Sequence, residues 1–167
     1  RGLIETSQLV IATGGLSIPK IGATDFGYRI AQQFGLRLVT RRPGLVPLTF
    51  DDKEWAPYAS LAGLSLPVSI ETGAKKTRMS FDEDLLFTHR GLSGPAVLQI
   101  SSYWQEGQPL HLNLAPQADI EGSLMQAKVR SKKLIANELG AWVPNRLADA
   151  WVAQDNQWQR PVAEASD

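Results

Sequence analysis

The segment LLFTHRGLSGPAVLQIS, residues 85–101, constrains the fold more than any other part of this sequence. It begins with an apolar run typical of a strand and ends with a pattern typical of a helix. Ser93 is predicted to cap that helix, because its hydroxyl group can accept a hydrogen bond from an unpaired amide of the first helical turn. Pro95 suits an early helical position, where the amide that proline lacks would be unpaired anyway. The segment therefore predicts a strand, a glycine-containing loop and a helix.

The loop of this segment is also a candidate site. Gly91 and Gly94 let the backbone turn tightly and leave its N–H groups uncovered, and with Ser93 they precede a helix N-terminus, which attracts anions. We expect the loop to receive an anion or a carbonyl oxygen; a capped turn without a ligand is the structural alternative. His89 and Arg90 are the candidate catalytic residues, because imidazole can donate a proton and guanidinium can hold a carboxylate, carbonyl or phosphate group. The alternative is a pair that satisfies backbone groups and nearby carboxylates.

A second segment, SQLVIATGGLSIPKIGATDFGYRIAQQFGL, spans residues 7–36. The apolar run Leu9–Ala12 predicts a strand that is buried on both faces. Residues 13–15 follow with almost no side-chain bulk, so that a planar ligand or a phosphate could lie against their backbone. A helix is predicted next, with apolar residues at four-residue spacing from Phe26 and a C-terminal glycine cap at Gly35.

Together these segments resemble the HI0933-like flavoproteins, which are FAD-dependent oxidoreductases with two dinucleotide-binding domains. The resemblance depends on the ATGG turn with the Pro19, Gly22 and Gly27 spacing, on the PGLVPL stretch at residues 43–48, and on LFTHRGLSGPAVL, and it covers about residues 7–151. It implies that FAD is the cofactor and NAD(P)H the electron donor. The residues that match the family's flavin-contacting turn are Ala12, Thr13, Gly14 and Gly15.

The resemblance also implies a reaction and a substrate cleft. The reduced flavin would reduce an activated double bond in a small organic substrate, in a cleft between the flavin domain and an inserted domain. The inserted domain would cover the substrate side, with His89 and Arg90 at the mouth of the cleft and Gly91, Ser93 and Gly94 lining it. Two alternatives stay open: a flavin-dependent amine oxidase, and a non-catalytic binding or dimerisation module.

The fourteen glycines include no GxGxxG spacing, which the family uses to bind the ADP pyrophosphate. We therefore expect the central part of a longer protein, with little or no FAD binding and no activity by itself. The expected divisions are the end of a Rossmann-like FAD-binding domain (1–42), a β-rich inserted domain (43–118), a helical hairpin (119–160) and a tail (161–167).

The fold class predicted by these patterns is α+β. Alternating apolar residues at 64, 66, 68 and 70, a turn at 73–76 and further short strands favour an antiparallel sheet or a small β-barrel. The acidic residues 82–84 are predicted to form a turn. Helices at 123–139 and from Pro144 onward would form the helical hairpin, with the lysines and arginine of 128–133 as a solvated face. A remnant of the α/β FAD-binding domain would precede the sheet.

Charge and composition set the expected partners. Seventeen basic and seventeen acidic residues cancel, which argues against binding to nucleic acid or to an anionic membrane surface. The absence of cysteine and the presence of only two histidines argue against a metal site. We therefore expect a small-molecule substrate, no nucleic acid, no membrane and possible homo-oligomers, in the cytoplasm.

Overall fold

A computed structural model describes residues 2–165 of the chain. Residue 1 of the first predicted division and residues 166–167 of the predicted tail lie outside the described residues. The chain divides into two compact units, of which the first ends at Arg42 and the second begins at Pro43. The described helices and strands are α1 (Phe26–Gln33), β1 (Leu48–Thr49), α2 (Asp52–Trp55), β2 (Ser65–Thr72), β3 (Met79–Thr88), β4 (Gly91–Ser93), α3 (Pro95–Ser101), β5 (Leu110–Asn113), α4 (Ile120–Arg130), α5 (Ile135–Leu139) and α6 (Asn145–Val152).

The first unit contains the predicted helix but not the predicted strand. Helix α1 ends in a Schellman motif: the amide of Gly35 donates to the carbonyl of Gln32 and the amide of Leu36 donates to that of Ala31, with φ of +71° at Gly35. The strand expected at Leu9–Ala12 is wrong, because no other described segment of this unit pairs with these residues. An isolated strand has no partner for its backbone hydrogen bonds, and these four residues are exposed.

The second unit is built on a curled, antiparallel, five-stranded sheet with the strand order β1-β4-β3-β2-β5. This confirms the α+β fold with an antiparallel sheet. Strands β2 and β3 form the long central hairpin, and its turn includes Gly73 at a φ of +92°, where a Cβ would lie 2.5 Å from the carbonyl oxygen of Thr77. The turn expected at residues 82–84 is wrong. These residues lie within β3, because Asp82 and Asp84 pair with Ser69 and a proline of β2 along a continuous ladder.

The main core lies between the sheet and α3. The alternating residues of β2 are buried as the sequence predicts, and Leu85 and Phe87 of β3 share their face. Helix α3 begins at Pro95 as predicted and buries one side against the sheet. The fully buried side chains of this core include Leu61, Val68, Ile70, Leu85, Val97, Ile100 and Leu147. This packing fixes the backbone that carries the β3–β4 turn.

The helical region differs from the predicted hairpin. Instead of one helix over 123–139 there are two, α4 and α5, and the chain between them is extended at Ser131. The physical reason is a pairing with residues far along the chain: Ile135 N–H donates to the Arg160 carbonyl at 3.1 Å, and Val162 N–H donates to the Lys133 carbonyl at 2.9 Å. A second, smaller core of Ile135, Val152 and Val162 closes this region. Among the described residues, no helix combines the length and the apolar character that spanning a membrane requires.

Candidate functional site

His89 and Arg90 form the two-residue turn that joins β3 to β4. The backbone of this turn is held firmly: Thr88 pairs with Gly91 across the turn, its hydroxyl donates to the Gly91 carbonyl at 2.9 Å, and the Trp55 indole N–H donates to the Thr88 carbonyl at 2.9 Å. Both turn side chains are exposed, and neither forms a hydrogen bond or a salt bridge with another described residue. The turn therefore presents two unpaired functional groups on a rigid backbone.

An aromatic cluster lies directly beneath this turn. Trp55 is only 6% exposed, and its ring stacks on Phe50 with a centroid distance of 4.8 Å. Its ring also contacts Tyr58 and Phe87 at centroid distances of 5.5 and 6.1 Å. This packed base fixes the backbone of the turn, which a site for a substrate or a phosphate group requires.

The glycines of this segment have packing roles that the sequence did not indicate. Gly94 is the N-cap residue of α3, at φ 92° and ψ 167°, and a Cβ there would lie 2.7 Å from the Asp84 carbonyl oxygen. A Cβ at Gly91 would meet the carbonyl oxygen of Leu48 in β1. These glycines allow neighbouring backbone to approach closely.

Two expectations about this segment are therefore wrong. Ser93 does not cap α3, because it belongs to β4 and pairs with Leu86 of β3. The backbone of residues 91–93 is not a bare loop either, since β4 lies between β1 and β3 in the sheet. Helix α3, whose N-terminus was expected to attract an anion, is only seven residues long. The role of Gly91, Ser93 and Gly94 in a substrate cleft stays a prediction.

The candidate flavin turn, residues 12–15, is open in the first unit. Its backbone amides form no hydrogen bond with a described residue, and a Cβ on Gly14, at a φ of +73°, would meet nothing within 4 Å. The hydroxyl of Tyr28 lies 3.2 Å from the position of a Cβ on Gly15, and the guanidinium of Arg41 lies 4.4 Å from the centroid of the Tyr28 ring. Uncovered amides beside an aromatic ring and a cation fit a planar, anionic cofactor such as FAD. Sequence reasoning missed Tyr28 and Arg41.

A groove between α4 and α5 was also missed. This α4–α5 groove has a volume of about 530 Å³ and is lined by Ser123, Leu124, Gln126, Ala127, Arg130, Ser131, Lys133, Glu138, Ala141 and Trp142. Its carboxylate, from Glu138, accepts a hydrogen bond from the hydroxyl of Ser131 at 2.6 Å. The signal in the sequence is local charge: residues 122–137 contain four basic residues and no acidic one, although the net charge of the chain is zero.

A second cavity, of about 690 Å³, adjoins this groove. Its wall includes Asp82, Glu83 and Asp84 from β3, and Trp142 lines both cavities. The acidic residues do not form a metal centre: within residues 2–165 no three His, Cys, Asp or Glu side chains are grouped to hold an ion. Trp142 therefore borders both a groove with basic residues and a cavity with acidic ones.

The sheet followed by α4–α6 defines an α+β domain made of a half-barrel and a helical region. The chain belongs to the HI0933-like family: residues 42–167 match the family described as "HI0933-like protein barrel and H2TH domain". This confirms the resemblance found in the sequence.

Two curated relatives share high identity with the chain. One, from Haemophilus influenzae (strain ATCC 51907 / DSM 11121 / KW20 / Rd), is named "Ribosomal RNA dihydrouridine synthase" and is 44% identical over 163 residues, which are 97% of this chain and 40% of the relative. The other, from Escherichia coli (strain K12), has the same name and is 49% identical over 143 residues, 85% of this chain and 35% of the relative. The chain thus spans well under half the length of these relatives.

These names correct the expected partners. A small-molecule substrate and no nucleic acid were expected, but both relatives are named for an enzyme of ribosomal RNA. The expectation failed because net charge averages over the whole chain, whereas nucleic acid is bound by local clusters of basic residues. Residues 122–137 hold a local concentration of positive charge, with four basic residues and no acidic one.

Proposed function

We propose that this chain is the central part of a flavin-dependent oxidoreductase that reduces uridine to dihydrouridine in ribosomal RNA. The observation that carries the proposal is the 44–49% identity to two relatives named as ribosomal RNA dihydrouridine synthases. The reaction adds a hydride and a proton across the C5–C6 double bond of uracil, which is activated by the adjacent carbonyl group. The proposed reaction is therefore of the class expected from the sequence, but its substrate is a base in an RNA chain instead of a small organic molecule.

FAD fits the open turn of the first unit, and we include it in the proposal with NAD(P)H as its reductant. When bound and reduced by NAD(P)H, the flavin would supply the hydride. Ala12, Thr13, Gly14 and Gly15 would contact it, because their amides are uncovered and no side chain blocks approach to Gly14. Arg41 adds a positive charge beside this surface.

His89 and Arg90 have proposed roles on the substrate side. Arg90 would hold a carbonyl or phosphate oxygen of the RNA, and His89 would supply the proton of the reduction. Their exposure and the rigid β3–β4 turn support these roles. In the protein that contains this chain, His89→Gln should lower kcat and change its pH profile, whereas Arg90→Ala should mainly raise KM for RNA. If neither variant affects turnover, these roles are wrong.

The function itself is tested in cells. The gene that encodes the protein is inactivated, the ribosomal RNA is digested to nucleosides, and dihydrouridine is measured by mass spectrometry with pseudouridine as the internal control. We expect dihydrouridine to fall in ribosomal RNA and to return when the intact gene is restored. Unchanged dihydrouridine with unchanged pseudouridine would refute the proposed function.

A further inference from the structure

We propose that the α4–α5 groove binds an unpaired segment of RNA, with a base stacked on Trp142 and the phosphate backbone beside Arg130 and Lys133. The inference rests on the proposed function for the identity of the ligand as RNA. The groove itself, its charge and its aromatic side chain are features of the structure. Its volume of about 530 Å³ lies within the usual range of ligand sites.

The cations of the groove are available to a ligand. Arg130 and Lys133 are exposed, and neither forms a salt bridge with another described residue. The carboxylate of Glu138 already accepts a hydrogen bond from Ser131, so that it competes less for these cations. The groove therefore contains two cations and one carboxylate that is already hydrogen-bonded, and this balance favours the binding of an anion such as a phosphate.

The helix dipole does not explain the whole basic run. Cations in the last turn of a helix offset the partial negative charge of its carbonyl end, and this accounts for Arg130 in α4. Lys132 and Lys133 lie beyond the end of α4, in the extended link to α5, where no last-turn carbonyls need them. Lys133, which lines the groove, is better explained by a ligand there.

Trp142 is suited to stacking with a base. It is 46% exposed, and its indole ring makes no aromatic contact or hydrogen bond with the described residues. Its backbone is fixed after α5, because its amide donates to the Leu139 carbonyl at 2.9 Å. An exposed aromatic face on a fixed backbone can stack with an unpaired base, whereas the bases of a duplex hide their faces within the helix.

The acidic cavity that Trp142 also lines influences where the phosphates and the base would lie. Asp82, Glu83 and Asp84 repel phosphates, so the backbone would follow the α4 side. A base that stacks on Trp142 would lie beside the cavity of these carboxylates, which can accept hydrogen bonds from its N–H groups. The phosphate backbone of the RNA and the edge of the stacked base would therefore lie beside different residues.

The experiment measures RNA binding by the purified protein that contains this chain. The probe is a fluorescein-labelled oligouridylate, its anisotropy is recorded over a series of salt concentrations, and melting temperature confirms that each variant is folded. Trp142→Ala should weaken binding by roughly tenfold, and Trp142→Phe should retain most of the affinity because it keeps an aromatic face. Lys133→Ala should reduce the slope of log K against log salt by about 0.7, the contribution of one phosphate contact on a single strand.

Matched controls come from the same unit. Trp158→Ala removes a tryptophan of similar exposure, 43%, that lies outside the groove, and Lys75→Ala removes an exposed lysine of the β2–β3 turn. Both should bind like the wild type. The proposal is overturned if folded Trp142→Ala and Lys133→Ala proteins behave like these controls, or if the wild type does not bind the probe.

The two proposals fail separately. If ribosomal RNA keeps its dihydrouridine without the protein, but Trp142→Ala and Lys133→Ala weaken binding as expected, the proposed function fails and the groove assignment stands. If the protein is needed for dihydrouridine while both variants bind normally, the groove assignment fails alone.

Discussion

Replacement of Gly94 by alanine should destabilise the second unit strongly. The backbone of Gly94, at φ 92° and ψ 167°, lies in a region that only glycine adopts without strain, and forcing another residue there costs about 1–3 kcal/mol. The added Cβ would also lie 2.7 Å from the Asp84 carbonyl oxygen and 2.8 Å from the Leu86 amide nitrogen. Both atoms belong to the backbone of β3 and cannot rotate away, so overpacking adds about 1–3 kcal/mol. The expected loss of about 2–6 kcal/mol is a large part of a typical unfolding free energy of about 5–15 kcal/mol.

The measurement is urea unfolding followed by tryptophan fluorescence. All five tryptophans lie after Pro43, so the signal reports on the second unit. Gly107→Ala is the matched control, because Gly107 also has a positive φ, +83°, but a Cβ there would meet nothing within 4 Å. It should lose only about 1–2 kcal/mol. Equal losses in the two variants would show that contact with β3 adds nothing, which would refute the reasoning.

Three further predictions concern other parts of the chain. Trp55→Phe leaves the Thr88 carbonyl without its indole donor and should lower the unfolding free energy by about 1–3 kcal/mol in the same assay. Its control, Trp158→Phe at an exposed site, should change the unfolding free energy by less than about 0.5 kcal/mol. Equal effects of the two substitutions would contradict this prediction. Val162→Ala removes apolar surface that is only 3% exposed and should cost about 1–3 kcal/mol; an unchanged midpoint would show that residue 162 does not stabilise the helical region. The chain by itself should bind FAD weakly in equilibrium dialysis, because residues 12–14 are exposed and the short turn covers little of such a ligand. Tight stoichiometric binding would contradict this.

Features of the fold that depend on nearby residues could be predicted from the sequence. The alternation in β2, the start of α3 at Pro95 and the cap at Gly35 each follow from residues within a few positions of one another. The predictions that failed concern segments whose pairing partners are distant in the sequence. The link between α4 and α5 is extended because residues 133–135 pair with residues 160–162, and no local pattern encodes that pairing.

The candidate site was predicted less completely than the fold. Residue chemistry together with the family resemblance led to the turn at residues 12–15 and to His89 and Arg90, and the geometry of each is compatible with a ligand. The α4–α5 groove was missed because its basic residues and Trp142 come together only when α4 and α5 are separated by an extended link. Likewise, Ser93 was taken as a helix cap because its sequence neighbours do not reveal that β4 pairs on both sides.

The pairing of Ile135 with Arg160 and of Lys133 with Val162 has a consequence for the order in which parts of the chain fold during synthesis. The partners are roughly thirty positions apart, and closing a loop of that length carries an entropic cost before any contact offsets it. The hairpin of β2 and β3 needs no such delay, because its two strands are joined by a short turn. As the chain leaves the ribosome, the sheet can therefore form first. The helices after it stay exposed to proteases and chaperones until residue 162 has emerged and docks against Ile135 and Val152.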